Sequence, residues 1–176
     1  MRSALDLLSQ YAEYHRDRRN IASHFVGVPM IVFGVGVLLA HPGFVVSGLR
    51  LSPAWIIFAA TALWYLSRGI PMLGLATSLA VAALLLLAER VAVGSSVASW
   101  LAWGLGFFVV GWVIQFVGHW YEGKKPAFVD DILGLLVGPM FVTAEAMFAF
   151  GWNKPLLHEI ERRVGPTLVR DMARIA

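Results

Sequence analysis

Two stretches of this chain hold the side chains able to do chemistry. The first runs Tyr11, Tyr14, His15, Asn20, His24, and the second Gln115, His119, Glu122. In the second, the three polar groups lie four and three residues apart, and at about 100° per residue they share one stripe of a helix. Gly104, Gly111 and Gly118 repeat every seven residues on nearly the same side, where small residues let another helix come close. The polar stripe should therefore face protein. In the first stretch Asn20 and His24 share a helical face, but His15 and His24 stand nine residues apart, on opposite sides of a straight helix. They converge only if the chain turns between them. The cluster Arg16-Asp17-Arg18-Arg19, followed by Asn20, a good N-cap residue, permits that turn. His15, His24 and His119 could then meet, with or without Glu122, as a nitrogen- and oxygen-rich metal site suited to iron, zinc or another divalent first-row metal. With coordination positions left open, such a set suits ferrous iron that activates dioxygen. Asn20, Gln115 and Tyr11 are the groups placed to fix the imidazole tautomers. Each histidine taken alone has a blander reading, as a helix cap or an interfacial residue, and His41 and His158 are read that way. Glu145, Asp130 and Asp131 stay open between capping or pairing and a place near the site.

The elements that must position these groups are apolar helices. Of the 176 residues 59% are hydrophobic and 14% charged, against about a quarter charged in soluble domains. The mean hydropathy is +0.72. A soluble fold of this size keeps too much surface exposed to hide that apolar content, so an all-α integral membrane bundle in one domain is expected. Residues 4–15 predict an amphipathic helix lying on the membrane, with Ala4, Leu5, Leu8, Tyr11, Ala12 and His15 on its apolar face. Four spans follow, at 21–40, 53–67, 70–88 and 97–119, with 41–52 as a loop. Trp55, Trp64, Tyr65, Trp100, Trp103, Trp120 and Tyr121 fall near their ends, as in aromatic belts. Arg16, Arg18 and Arg19 place the N-terminus on the cytoplasmic side. Four spans return Lys124-Lys125 to that side, beside the start of the first span. Residues 127–150 are expected to form a re-entrant or interfacial helix pair broken near Gly138-Pro139, and the tail from 155 a surface helix. Cysteine is absent, which excludes disulfides and thiolate chemistry. The net charge of +3 carries no nucleic-acid signature, and Asp6, Glu13 and His15 argue against a signal peptide.

The pattern Tyr11, His15, Asn20, His24, Gly27, Pro29, then Gln115, Gly118, His119, Glu122, Pro126, Ala127 resembles a family of small membrane proteins that includes the fungal endoplasmic-reticulum 2-hydroxy fatty acid dioxygenase. The resemblance covers roughly residues 4–150. It implies an Fe(II)-dependent dioxygenase of fatty acid α-oxidation, acting with dioxygen on a long-chain 2-hydroxy fatty acid to give an acid one carbon shorter. It places the iron on His15, His24 and His119 only; Glu122 and Tyr11, from the reading of the residues themselves, are the catalytic candidates. The acyl tail would enter from membrane lipid. Arg19, or its neighbours Arg16 and Arg18, could neutralise the substrate carboxylate, beside their plain role in orientation. The host membrane is expected to be a bacterial inner membrane, or the endoplasmic reticulum in a eukaryote, with the site at the cytoplasmic face. The rival readings are a zinc-dependent lipid hydrolase, a hydroxylase (the HxxxH and HxxHH clusters of that class are missing), and a non-enzymatic transporter or lipid-binding scaffold. A transporter usually shows repeats and midplane polar groups, and neither is found.

Overall fold

A computed structural model describes residues 2–171. The chain folds as an all-α bundle of seven α-helices among the described residues: α1 Ala4–Ala12, α2 Arg18–Ala40, α3 Pro53–Leu66, α4 Pro71–Ala92, α5 Val97–Glu122, α6 Gly134–Ala149 and α7 Lys154–Val164. A short hairpin, β1 Phe44–Val46 and β2 Leu49–Leu51, follows α2, and a 3₁₀ turn covers Ala127–Val129. Three helices, α2, α4 and α5, are long and apolar enough to cross a membrane, and the bent α6–α7 pair is a fourth candidate if its halves count together. The expected second span falls short. α3 has 14 residues, about 21 Å of helix against a hydrocarbon core of about 30 Å.

The helices start where local chemistry says they should. Ser3 and Asp6 form a capping box on α1, and Pro53 and Pro71 open α3 and α4, where a missing N–H costs nothing. α2 begins three residues before the expected Asn20 cap: Asp17 is the N-cap, its carboxylate accepting from the Arg19 amide. The 41–52 segment is a hairpin rather than a loop, with Ser47 and Gly48 both at positive φ in the two-residue turn. α1 ends at Ala12, short of His15, and its apolar face packs against α6 and α7 instead of lipid, with Leu7 and Leu8 fully buried. Tyr65 is not in an aromatic belt; it is buried and donates its hydroxyl to the Leu136 carbonyl at 2.9 Å.

The break in the last helix pair lies elsewhere than expected. α6 continues through Gly138-Pro139, and the chain bends by 119° between α6 and α7. A proline inside a helix removes one hydrogen bond. Here the helix is held by packing on both sides of Pro139, since Val137, Met140, Phe141 and Ala144 are all buried against the α1 core. The bend falls at Gly151 and Asn153, both at positive φ.

The frame of the molecule is the α2–α5 pair. Only Gly104, Gly111, Gln115, Gly118, His119 and Glu122 are buried along α5, which is the stripe that the heptad glycines predict. A Cβ on Gly111 would stand 2.9 Å from the Gly27 carbonyl. One on Gly118 would collide with Ser23 Oγ and lie 2.6 Å from Asn20 Oδ1. The remaining faces of α5, including Val109, Val113 and Phe116, are exposed and apolar, the pattern of a helix that meets lipid.

Candidate metal centre

His15, His24 and His119 come together where the α1–α2 turn meets the end of α5. Their ligand-capable nitrogens lie within 4.8 Å of one another, and all three side chains are buried. Tyr11 stacks on the His15 ring at 4.1 Å with the planes 4° apart. Glu145, Asp130 and Asp131 stay outside this cluster. Asp130 pairs with Lys125 and accepts from Tyr14, while Asp131 pairs with Arg2 and caps the start of α6 through the Leu133 amide. His41 stacks on Trp100 at the opposite end of the bundle and His158 is exposed on α7.

The tautomers follow from the hydrogen bonds. His15 Nδ1 faces the Tyr11 carbonyl at 2.6 Å and His24 Nδ1 faces the Asn20 carbonyl at 2.8 Å. A carbonyl can only accept, so both Nδ1 atoms carry protons. Backbone atoms thus fix these rings, not the Asn20 and Gln115 side chains expected to do so, because each histidine sits four residues beyond its carbonyl. Both Nε2 atoms then present lone pairs, and they face each other at 2.8 Å. Burial, followed by the neighbouring His24 and His119, pushes the His15 imidazole well below its ordinary value, which keeps it neutral. Two neutral acceptors at that distance repel unless a cation lies against both. The donor set therefore fits a metal ion, and imidazole nitrogen suits iron and zinc alike. Gln115 Oε1, one turn before His119 on α5, is buried without a hydrogen-bond partner.

The other predicted groups sort by position. Tyr11, His24, Gln115 and His119 line one small pocket of about 60 Å³ with Val28, Trp112 and Phe128, room for a few water-sized groups. Burial pushes the Tyr11 phenol up, so it stays protonated and can donate. Glu122 does not line this pocket. Its Oε2 accepts from the Asp17 amide at 2.8 Å and from Asn20 Nδ2 at 3.2 Å, which ties the end of α5 to the turn that carries His15. Asn20 Nδ2 also donates to the Tyr14 carbonyl. Arg19 is held by the Asp17 carboxylate through Nε at 3.0 Å and Nη2 at 2.7 Å, and lies over the Tyr121 ring. Arg16 is buried and donates to the carbonyls of Ala12, His15 and Gly165. Both guanidiniums are thus committed to the turn rather than turned to the pocket. The sequence reading missed Asp17 and Trp112. An acidic residue just before an apolar helix is an N-cap signal that could have found the first, whereas Trp112 in mid-helix carries no such mark.

Residues 1–150 match the family described as "2-hydroxy-palmitic acid dioxygenase Mpo1-like". The chain belongs to this family. It is also similar to the protein named 2-hydroxy-palmitic acid dioxygenase MPO1 of Saccharomyces cerevisiae, at 30% identity over 162 residues, covering 89% of this chain and 88% of the yeast protein. No solved structure matches it. The Mpo1-like match encloses the whole histidine cluster and its pocket. It stops before α7 and the tail, although that tail touches the turn: Arg18 N–H donates to the Leu168 carbonyl, Leu168 N–H to the Arg16 carbonyl, and Arg170 N–H to Asp17 Oδ2.

Proposed function

We propose that this Mpo1-like chain is an iron(II)-dependent dioxygenase that shortens long-chain 2-hydroxy fatty acids by one carbon. The observation that carries the reading is the facing pair of Nε2 lone pairs at 2.8 Å, next to a third buried imidazole in a membrane protein whose yeast relative is named a 2-hydroxy-palmitic acid dioxygenase. The reaction balances without a further reductant: a 2-hydroxy acid and one dioxygen give the shorter acid, carbon dioxide and water. Iron(II) on the three imidazoles would supply the activation of dioxygen.

The protein's own groups then bind and orient. Tyr11, which keeps its phenol proton, and Gln115, whose Oε1 is unpartnered, line the same pocket as His24 and His119, where they can hold the carboxylate and hydroxyl of the substrate. Val28, Trp112 and Phe128 give that pocket an apolar wall, and a substrate tail lying against it would shut out water and strengthen each polar contact inside. Glu122 is a positioning residue, holding the His15 turn against α5. The basic residues Arg16, Arg18, Arg19, Lys124 and Lys125 cluster at this end, which supports a cytoplasmic location for the site.

Full-length protein purified in detergent, free of any histidine tag, tests this by elemental analysis and by oxygen uptake with a long-chain 2-hydroxy fatty acid. Near-stoichiometric iron, and oxygen consumed in step with the shortened acid, are expected. His119→Ala should lose the iron and at least about a hundredfold in turnover, since disturbing even the groups behind a metal ligand costs about 10–100-fold. Zinc in place of iron, with no oxygen uptake, would move the site to hydrolysis. Protein that never binds metal would sink the centre altogether.

A further inference from the structure

A second, larger cavity adjoins the histidine pocket. It encloses about 300 Å³, the lower end of the range for sites that hold a whole small ligand. The two cavities share Ile31, Val32, Trp112, Leu135 and Pro139 as walls, so the chamber lies directly beside the pocket that His24 and His119 line. One face of α2 runs through both. His24, Val28, Ile31, Val32, Val35 and Leu39 recur at helical spacing, and the fifteen steps from His24 to Leu39 cover about 22 Å.

The chemistry of the walls changes along that path. At the histidine end, Gln115 Oε1 is buried and unpartnered. In the chamber the two hydroxyls are already satisfied: Thr61 Oγ1 donates to the Phe58 carbonyl at 3.0 Å and the Tyr65 hydroxyl to the Leu136 carbonyl at 2.9 Å. Everything else there is aliphatic or aromatic. A ligand that fits has a small polar head and a long unbranched apolar tail. At the far end the chamber stops against Ala54 and Leu85, members of a second buried cluster with Val37, Ala40 and Ala88. On its side, Val35, Ile57 and Leu135 are exposed, so the wall is open toward lipid.

We propose that this chamber is the acyl-chain site, filled from the bilayer through the gap beside Val35, Ile57 and Leu135, and that its closed end at Leu39 and Ala54 sets the longest chain accepted. The proposal rests on the dioxygenase reading for the identity of the head group, but its tail site can be tested apart from turnover.

The test uses the iron-loaded, full-length protein in nanodiscs and a 2-hydroxy fatty acid with a terminal diazirine, photolysed and mapped by mass spectrometry. Labelling of Leu39, Ala54 or Ile57, competed by unlabelled 2-hydroxy acid, is expected. Thr61→Trp, placed half-way along, should remove that labelling. It should also lower the ratio of kcat/KM for long over medium chains by at least about tenfold, since a single methylene in an apolar pocket is worth about 10–200-fold. Leu39→Ala should move the optimum toward longer chains, and it reports on the same floor if the tryptophan variant fails to fold. Labels confined to outward residues such as Leu79 and Leu86, or a chain-length profile that neither variant alters, would overturn the proposal and make the chamber a gap filled by bulk lipid. Specific labelling of the chamber in protein that turns over no 2-hydroxy acid would keep the tail site and reject the dioxygenase reading.

Discussion

The α2–α5 pair has two ends built to one plan and used differently. At both, a heptad glycine of α5 admits α2. At the far end Gly104 faces the Leu38 side chain and the Gly34 carbonyl, the Trp100 indole donates to the Val37 carbonyl, and Arg50 donates to the carbonyls of Ala40 and His41. Those bonds end on backbone carbonyls, while Arg50 Nε, 3.9 Å from the Glu89 carboxylate, and Ser52 Oγ are buried there without a hydrogen bond. At the near end Gly118 faces Asn20 and Ser23, and the groups around it include buried polar atoms with no partner in Asn20 and Gln115. Buried unsatisfied polar atoms cost about 1–3 kcal/mol each. At the far end such atoms lie on the hairpin and the residue after it, Arg50 and Ser52, and at the near end on the two facing helices, in Asn20 and Gln115. Within the α2–α5 pair itself they gather at one end, on Asn20 and Gln115, which marks that end as the place where stability has yielded to a site.

The comparison breaks most visibly at its glycines. Gly118→Ala puts a methyl into Asn20 and Ser23, which are fixed by Glu122 and the helix backbone. Gly104→Ala meets the end of the half-buried Leu38, which can swing away. Overpacking of the first kind costs about 1–3 kcal/mol; the second should cost less than half of that. Thermal melts with metal content read on the same samples should show Gly118→Ala losing both stability and metal, and Gly104→Ala keeping its metal. Equal effects would mean that the near end is ordinary packing.

The turn that brings His15 to His24 is the next point of attack. Burial works to raise the Asp17 carboxyl, but hydrogen bonds from the Arg19 side chain and the amides of Arg170 and Arg19 outweigh it and leave it at about 2. A carboxyl lowered on folding adds stability that is complete above its unfolded value of 3.8 and is lost as pH falls from there through about 2. The melting temperature should therefore be level in this respect down to about pH 4 and then decline. Asp17→Asn should be less stable at neutral pH by about 1–3 kcal/mol and should lack that part of the acid decline. A variant with the same acid profile as the parent would show that Asp17 does not hold the turn.

How much of this could be read from the sequence depended on whether the decisive interaction was local. The histidine cluster was legible because Gln115, His119 and Glu122 follow helical spacing, and because the spacing of His15 and His24 required a corner. The corner's cap was misplaced by three residues, since Asn20 and Asp17 are both good caps and only the fold shows Asp17 making the bond. The tautomers rest on main-chain carbonyls, which every residue has and no residue type advertises. The bend after α6 was misjudged because Gly138-Pro139 is a strong local breaker, overruled by tertiary burial of Val137, Met140 and Phe141. The chamber was invisible, because it is bounded by five helices and by no motif.

The tail gives a smaller effect and sharpens the same contrast. Residues 165–170 pair with the turn through the Leu168 and Arg170 amides and the Gly165, Leu168 and Arg170 carbonyls, yet they lie beyond the family match. Deleting residues 165–176 should leave the histidines able to take up metal and weaken its retention a few-fold, measured as the rate of iron loss to a chelator. Loss of all binding would make the tail part of the centre rather than a strap on it.

The least effect is expected at the far end's own histidine. His41 stacks on Trp100 at 4.6 Å, a contact worth about 0.5–1.5 kcal/mol at most, and partly exposed ring pairs fall at the bottom of that range. His41→Ala should lower the melting temperature slightly and leave iron content and oxygen uptake at the parent level. The value of so weak a substitution is that it removes an imidazole from the same helix pair without touching the corner at His15. If it changed the metal content, histidine at either end would be contributing and the asymmetry of the pair would not be functional. If it does not, the chemistry belongs to the end where the chain turns, where the three imidazoles meet with more lone pairs than protons.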